Sequence, residues 1–305
     1  MTDVTEFILL GFQATQNIRI LMFVIFIVVY ILTVFMNLLI IVLVSTSKNL
    51  HTPMYFFLTQ LSLNDIILPT VIIPNMLHIL LYDRGTIPFM GCMAQVYFFC
   101  VSEASECLIL TLMSCDRYLA ICNPLRYTSL MTPANCVILA VTCWFIAFFL
   151  MLLLIITMLM LNFCGPNIID HFFCDTLPIL ELSCSDTYNL QVEIYLLGVP
   201  LILVPNIIII FTYSKIIATT LRIPSSTGRQ KAFSTCSSHL IVVSIFYCTL
   251  FGVYILPTRD KTLSISKILS LLYTVFTPLI NPIIYSLKNN DIKKALHTLV
   301  YRHCR

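Results

Sequence analysis

Three acids stand where acids are costly. Asp65, Glu103 and Glu106 fall deep inside long apolar runs of this 305-residue chain. A carboxylate at the centre of a bilayer costs roughly 2.5–3.5 kcal/mol even on the lenient insertion scale. Each therefore requires a cation, a shared proton or a hydrogen-bond donor. Residues three and four apart share one face of a helix, so Phe99, Glu103, Glu106 and Leu110 form a stripe that must look into a bundle. Counted at 1.5 Å per residue, Asp65 and Glu106 both lie roughly 16 Å from the same side of the membrane. At a common depth they can share one hydrated site. They are expected to hold a sodium ion, the alternative being a pair of protonated, hydrogen-bonded acids. Glu103 lies one turn nearer the opposite, Cys92 side than Glu106, about 16 Å below Cys92. It is expected either to bond a backbone carbonyl in its protonated form or to meet a ligand. Asp116 and Arg117, adjacent near the far end of the same run, read by themselves as an interfacial ion pair with a snorkelling arginine.

Seven apolar runs must position these groups, at 21–45, 54–82, 93–115, 134–161, 192–218, 236–257 and 265–287. Each has about 20 residues or more, the length a helix needs to cross a hydrocarbon core of roughly 30 Å. Composition agrees. The chain is 59% hydrophobic and 10% charged, with a mean hydropathy of +0.96, whereas a soluble domain carries about 25% charged residues. The expectation is an all-α membrane protein with one domain over 1–305. Residues 1–20 precede the bundle, 21–287 form seven transmembrane helices, and 288–305 form a short amphipathic helix. The first run is too long for a cleaved signal and lacks a basic leader, so it is expected to stay as an anchor.

Charge placement sets the expected orientation. With the N-terminus outside, twelve basic residues fall inside (Lys48, Arg117, Arg126, Lys215, Arg222, Arg229, Lys231, Lys288, Lys293, Lys294, Arg302, Arg305). Five fall outside: Arg19, Arg84, Arg259, Lys261 and Lys267. That is a clear positive-inside bias. Asp3, Glu6, Asp83, Asp170, Asp175, Glu181, Asp186 and Asp260 all fall outside, which agrees without adding weight. The net charge of +3 thus reports topology and gives no sign of nucleic-acid binding.

Cys92, Cys164, Cys174 and Cys184 also fall on the outer, oxidising side. Four cysteines allow three connectivities, and sequence alone does not choose among them. The physical preference is for Cys92, at the outer start of the third run, to reach back to the loop after the fourth. A Cys92–Cys174 bond would draw that loop over the bundle. Cys164–Cys184 would then close a ring of roughly 21 residues, worth on the order of 3 kcal/mol. The other nine cysteines read as small apolar packing residues.

The stretch from Met113 to Tyr127, MSCDRYLAICNPLRY, resembles the MAYDRYVAICHPLRY signature of vertebrate olfactory receptors, a branch of the rhodopsin-like G-protein-coupled receptors. Leu50 to Leu58, LHTPMYFFL, followed by Leu61, Ser62 and Asp65, is similar to the family's LHTPMYFFLxxLSxxD. Lys231 to Leu240 reads KAFSTCSSHL, and Pro278 to Asn289 resembles PxxNPxIYSLRN. The loop from Cys164 through Cys174 to Cys184 also fits, and Thr52 and Ser62 point to the class II group. Departures are Met36 before Asn37, Cys115 where Tyr is usual, Asn123 where His is usual, Cys248 after Phe246 and Tyr247, and Thr212 before Tyr213. The chain carries no Asn-x-Ser/Thr glycosylation site, which the family normally has near its N-terminus.

The resemblance implies an odorant receptor of the plasma membrane. It would bind a small, mostly apolar odorant and activate a heterotrimeric G protein of the stimulatory olfactory type through cyclic AMP. Helical spacing and family position together place the ligand among Phe99, Cys100, Glu103 and Ala104 of the third helix. Leu197 and Leu201 would come from the fifth helix, Tyr247, Leu250, Phe251 and Tyr254 from the sixth, and Thr274 from the seventh. Glu103 adds an amine or a strong hydrogen-bond donor to the expected ligands. The implied polar core is Asp65, Glu106 and Asn281, with sodium as the one candidate ion and no other cofactor. The implied coupling and switch residues are Asp116, Arg117, Tyr118, Tyr213, Lys231, His239, Pro282 and Tyr285. There Arg117 is held by local partners and then freed toward the G protein and Tyr213. Pro282 removes a helix hydrogen bond and gives a bend point, and Pro205 gives another. The basic connection from Ser214 to Thr235 suits a G-protein α subunit. The alternatives are a non-olfactory receptor of the same class or, remotely, a transporter, but no internal repeat supports transport. An enzyme is not expected: no HExxH or GxSxG occurs, and the six histidines are scattered.

Overall fold

A computed structural model gives the fold and describes residues 4–164, 166–222, 224–255 and 263–303. Side chains are described at these positions except 226–228, 230–235, 253–255, 263–265, 288 and 300–303. Asp3, Arg259, Asp260, Lys261 and Arg305 therefore lie outside the described residues, as do the side chains of Lys231, Tyr254, Lys288 and Arg302.

The long apolar runs form helices, and these continue beyond the apolar runs at most of their ends. In chain order they are α1 (Gln16–Thr46), α2 (Pro53–Tyr82), α3 (Phe89–Cys122), the short α4 (Pro124–Leu130) and α5 (Pro133–Leu159). There follow α6 (Thr176–Glu181), α7 (Tyr188–Leu221), α8 (Ser226–Ile255), α9 (Leu263–Leu271), α10 (Thr277–Lys288) and α11 (Asn290–His303). Among the described residues six helical stretches have the length and apolarity to cross a membrane, the sixth being Ser266–Leu287, which runs through α9 and α10. The remaining one, α8, carries a described apolar stretch at Cys236–Gly252. Together they make a seven-helix membrane bundle with a short C-terminal helix.

Local chemistry explains the helix starts. Proline opens α2, α4 and α5, where its missing N–H is no loss and its fixed φ suits the first turn. Thr132 caps α5 by accepting from the Asn135 N–H at 3.3 Å. Each helix then buries one stripe. In α1 the buried residues are Phe26, Val29, Thr33, Asn37, Ile40, Leu43 and Val44, a spacing of three and four, while Ile31 and Phe35 face outward. α3 is the hub, packing against α2, α5, α7 and α8.

The last spanning helix is not uniform. Leu272–Phe276 forms a π turn between α9 and α10, and the Thr277 N–H bonds the Leu272 carbonyl five residues back. Thr277 Oγ1 donates to that same carbonyl at 3.0 Å. The cause lies next door: Pro278 has no N–H with which to continue an α ladder. Such π turns are frequent at functional sites.

One end of the bundle carries a lid. Strands β1 (Glu6–Leu9), β2 (Gly85–Pro88) and β3 (Ile168–Ile169) form a small sheet in the order β2-β1-β3. β1 runs antiparallel to β2, with Phe7 opposite Ile87, and parallel to β3, with Ile8 opposite Ile168. Disulfides join Cys92 at the head of α3 to Cys174, and Cys164 to Cys184 within the loop before α7. Lys267 at the top of the last helix holds Asp170 of that loop at 2.6 Å and the Gly11 carbonyl at 2.8 Å. Gly11 has φ +60, and a Cβ there would run into Ile79, so glycine is required at this crossing.

Candidate functional site

The lid feeds aromatic side chains down to α3. Phe172 stacks on Phe12 at 5.2 Å between ring centres, and Phe173 meets Phe99 edge-on at 5.1 Å. Phe99 also contacts Tyr273 at 6.0 Å. Gln95, one turn below Cys92, locks this arrangement: it accepts from the Cys174 N–H at 2.8 Å and donates to the Val71 carbonyl at 2.9 Å. Asp175 caps α6 by accepting from the Thr176 N–H at 2.6 Å. Burial pushes the Asp175 carboxyl up to about 6. Burial beside the Lys267 ammonium pushes the neighbouring His171 imidazole down to about 3.

Below the lid, the α3 stripe faces inward. Phe99, Ala104, Glu106 and Leu110 are buried. Cys100 is half-buried, with its Sγ 3.9 Å from Thr176 Oγ1. Glu103 is partly covered as a whole, yet both carboxylate oxygens are fully buried and have no hydrogen-bond partner among the described residues. Such groups cost on the order of 1–3 kcal/mol, more when charged. Of the other residues expected around the ligand, Tyr247 and Leu250 are buried in the neighbouring apolar cluster and Phe251 packs against it. Tyr247 and Phe251 rings lie 6.1 Å apart. Leu201 packs on the cluster beneath the lid, while Leu197 is half-buried and belongs to no described cluster. Thr274 is buried and gives its hydroxyl to the Ser270 carbonyl at 2.6 Å. The Tyr254 side chain lies outside the described residues.

One layer deeper is a polar core. Asn281 donates to both oxygens of Asp65, at 3.1 and 3.2 Å. Asn64 donates to Glu106 at 3.3 Å and accepts from Ser105 at 3.0 Å. Asp65 and Glu106 are each 1% exposed. Glu106 Oε1 and Asn281 Oδ1 have no partner among the described residues. Asn37 completes the layer by donating to the Pro278 carbonyl at 3.0 Å. That carbonyl would be served in an α-helix by residue 282, which is proline and has no N–H.

At the end opposite the lid the charges are satisfied. Arg117 pairs with its neighbour Asp116, and the Tyr127 hydroxyl donates to the other Asp116 oxygen at 2.9 Å. Tyr213 does not meet Arg117; it bonds His239 Nδ1 at 2.5 Å, and Arg117 stays with Asp116. Tyr118 is half-buried against Phe211, with rings 6.3 Å apart. Pro282 and Tyr285 are buried, and the Tyr285 hydroxyl has no partner among the described residues. Lys231 lies on α8 with its side chain outside the described residues. The helix α11 buries Ile292 and packs Leu296 and Leu299 against the bundle, and leaves Lys293 and Lys294 exposed.

Four participants escaped the sequence reading: Asn64, Gln95, Ser105 and Lys267. Asn64 had a signal, a second polar residue beside Asp65 in an apolar run. Lys267 had one too, a lone cation at the top of the last run. Gln95 and Ser105 offered only a single polar letter each, and their partners are far away in sequence.

A family model described as "Olfactory receptor" matches residues 26–303. The chain is 42% identical to "Olfactory receptor 6P1" of Homo sapiens over 99% of its own length and 95% of that protein. It is 44% identical to "Olfactory receptor 10A7" of Homo sapiens, covering 97% and 93%, and 41% identical to "Olfactory receptor 1468" of Rattus norvegicus, covering 97% and 94%. A buried acid beneath a crosslinked lid at one end, an Asp–Arg–Tyr pairing at the other and full-length similarity place this chain in the olfactory receptor family: it is a multi-pass membrane receptor, not an enzyme, that answers to small molecules and couples to G proteins.

Proposed function

We propose that the chain binds a small, mainly apolar odorant between α3, α7, α8 and the last spanning helix, and that Glu103 is its polar anchor. The observation that carries the reading is the pair of Glu103 oxygens, buried and without a partner among the described residues. A ligand ammonium or strong hydrogen-bond donor would fulfil them, and apolar walls from Phe99, Ala104, Leu201, Leu250 and Phe251 would hold the remainder. Cys100, Leu197, Tyr247, Tyr254 and Thr274 complete the proposed lining.

The switch follows from what each state satisfies. A ligand shifts an equilibrium only by its differential affinity for the two states. Here the ligand would stabilise the state in which the last helix repacks about its π turn and Pro282, moving Tyr285. Arg117 would then leave Asp116, and Tyr213 would leave His239. The freed face, with Tyr118 and Lys231, would meet a stimulatory olfactory-type G protein that raises cyclic AMP. The receptor would act as a single domain in the plasma membrane, with its N-terminus and lid outside and α11 in the cytoplasm. The twelve-to-five distribution of basic residues supports that orientation, as do the two lid disulfides, which suit an oxidising compartment.

Asp65 and Glu106, with Asn281, would hold a sodium ion in the off state. Two carboxylates and an amide oxygen are hard oxygen donors, and the unpartnered Glu106 Oε1 and Asn281 Oδ1 fit a cation. The ion would supply a positive charge between the acids; Asn281 would orient Asp65, and Asn64 would orient Glu106. Melting the wild type and Asp65→Asn in sodium and in choline salts tests this: only the wild type should gain stability from sodium.

The main reading is tested by an odorant panel on cells carrying a cyclic-AMP reporter. Glu103→Gln is expected to lower the response to amines and alcohols by tenfold or more, on the order of one charge-assisted hydrogen bond. A mutant that answers every such agonist as the wild type does would refute Glu103 as the anchor.

A further inference from the structure

A second acid stands above Glu103, and the inference drawn from it rests on Glu103 being the ligand's anchor. Cys100 and Glu103 share one face of α3, with Cys100 about 4.5 Å nearer the lid. The Cys100 Sγ touches Thr176 Oγ1 at 3.9 Å, and Thr176 opens α6 directly after Asp175. Asp175 is nine-tenths buried and adjoins the residue that Cys100 touches. Two carboxylates from separate elements, α3 and the disulfide-held loop, thus flank the Cys100–Thr176 contact, Asp175 beside it and Glu103 about one helical turn below it.

Neither acid is paired with a cation among the described residues. Among the described residues the ion pairs are Arg19–Asp83, Arg117–Asp116 and Lys267–Asp170. Lys267 is already committed to Asp170 and the Gly11 carbonyl. The Glu103 oxygens, unpartnered among the described residues, are an independent sign that a ligand completes the site. A monoamine on Glu103 would leave Asp175 uncompensated in a poorly solvated place. A ligand with two ammonium groups would satisfy both, with its methylene chain lying along Cys100 and Phe99. We propose that this pair of acids recognises a short linear diamine, one ammonium on Glu103 and the other on Asp175.

The test uses purified full-length receptor in lipid nanodiscs. Apparent affinities for cadaverine, pentylamine and pentanol are read from the ligand dependence of the melting temperature. The wild type should bind cadaverine at least about tenfold more tightly than pentylamine, the scale of one added charge-assisted contact. Asp175→Asn should bring the ratio to about one. Asparagine caps helices as well as aspartate, so α6 should survive, and Asp175→Ser gives a second capped variant. A wild-type ratio near one, an unchanged ratio in both variants, or no shift with cadaverine would each overturn the proposal, with Glu103 still free to anchor other donors. Pentylamine binding that ignores Glu103→Gln would sink the anchor and the diamine together.

Discussion

The two ends of α3 treat their acids in opposite ways. Asp116, at the end away from the lid, is fully buried and fully served, by Arg117 through one oxygen and Tyr127 through the other. Glu103, some 13 residues nearer the lid, is buried at its oxygens and served by none of the described residues. Both conditions cost desolvation, and only the first is offset internally. A receptor needs this asymmetry. The satisfied end is a resting state that must be broken, and the unsatisfied end is a place that a ligand completes. Coupling between them then has a physical basis: the same helix carries both, and the polar layer of Asp65, Asn64, Glu106 and Asn281 lies in between.

The largest effect should come from removing the lid's tie to α3. Cys174→Ser breaks the bond to Cys92 and should cost about 2–5 kcal/mol, read as loss of surface receptor and a lower melting temperature. It would leave the Asp116 end untouched, so ligand-independent signalling per receptor should not rise. Asp116→Asn should do the reverse. The Arg117 catch loses its charge partner, and basal nucleotide exchange on the G protein should rise on the order of tenfold. Equal basal activity in the two proteins would mean that the satisfied end is not a catch.

A smaller and sharper contrast lies inside the lid. His171, lowered to about 3, contributes stability that is present above its unfolded value of 6.5 and lost as pH falls toward 3. Asp175, raised to about 6 from 3.8, contributes in the other direction, losing stability as pH rises from 3.8 to 6. Between about pH 4 and 6 the two oppose each other. Asp175→Asn should therefore expose the histidine, and the variant should lose up to ~1.4 kcal/mol per pH unit on acidification through that window. His171→Asn should show the opposite slope. Melting curves at pH 4, 5 and 6 decide it, and parallel pH profiles for all three proteins would contradict the assignment. The smallest effect belongs to Arg19→Ala. Its partner Asp83 is 63% exposed, so the pair should be worth less than about 1 kcal/mol.

How far these regions were legible beforehand depended on the range of the forces involved. Runs of twenty apolar residues declare helices by length alone, and spacing by three and four turned Glu103 and Glu106 inward before any coordinates. The lid sheet was not legible, because its strands are two to four residues long and pair across most of a hundred residues or more. The π turn at Leu272–Phe276 left no mark except Pro278 downstream. Asp65 and Glu106 were placed at one depth, yet the hydrogen bonds that orient them, from Asn281 and Asn64, depend on side-chain geometry that a one-dimensional pattern does not carry. The tail's amphipathic pattern was plain, and its docking of Ile292 against the bundle was not.

A density map of the receptor with an amine agonist bound tests the central claim most directly. The account predicts ligand density beneath the lid with its nitrogen within hydrogen-bond distance of Glu103, and Arg117 withdrawn from Asp116. Ligand seated away from α3, with the Glu103 oxygens still unmet, would contradict it.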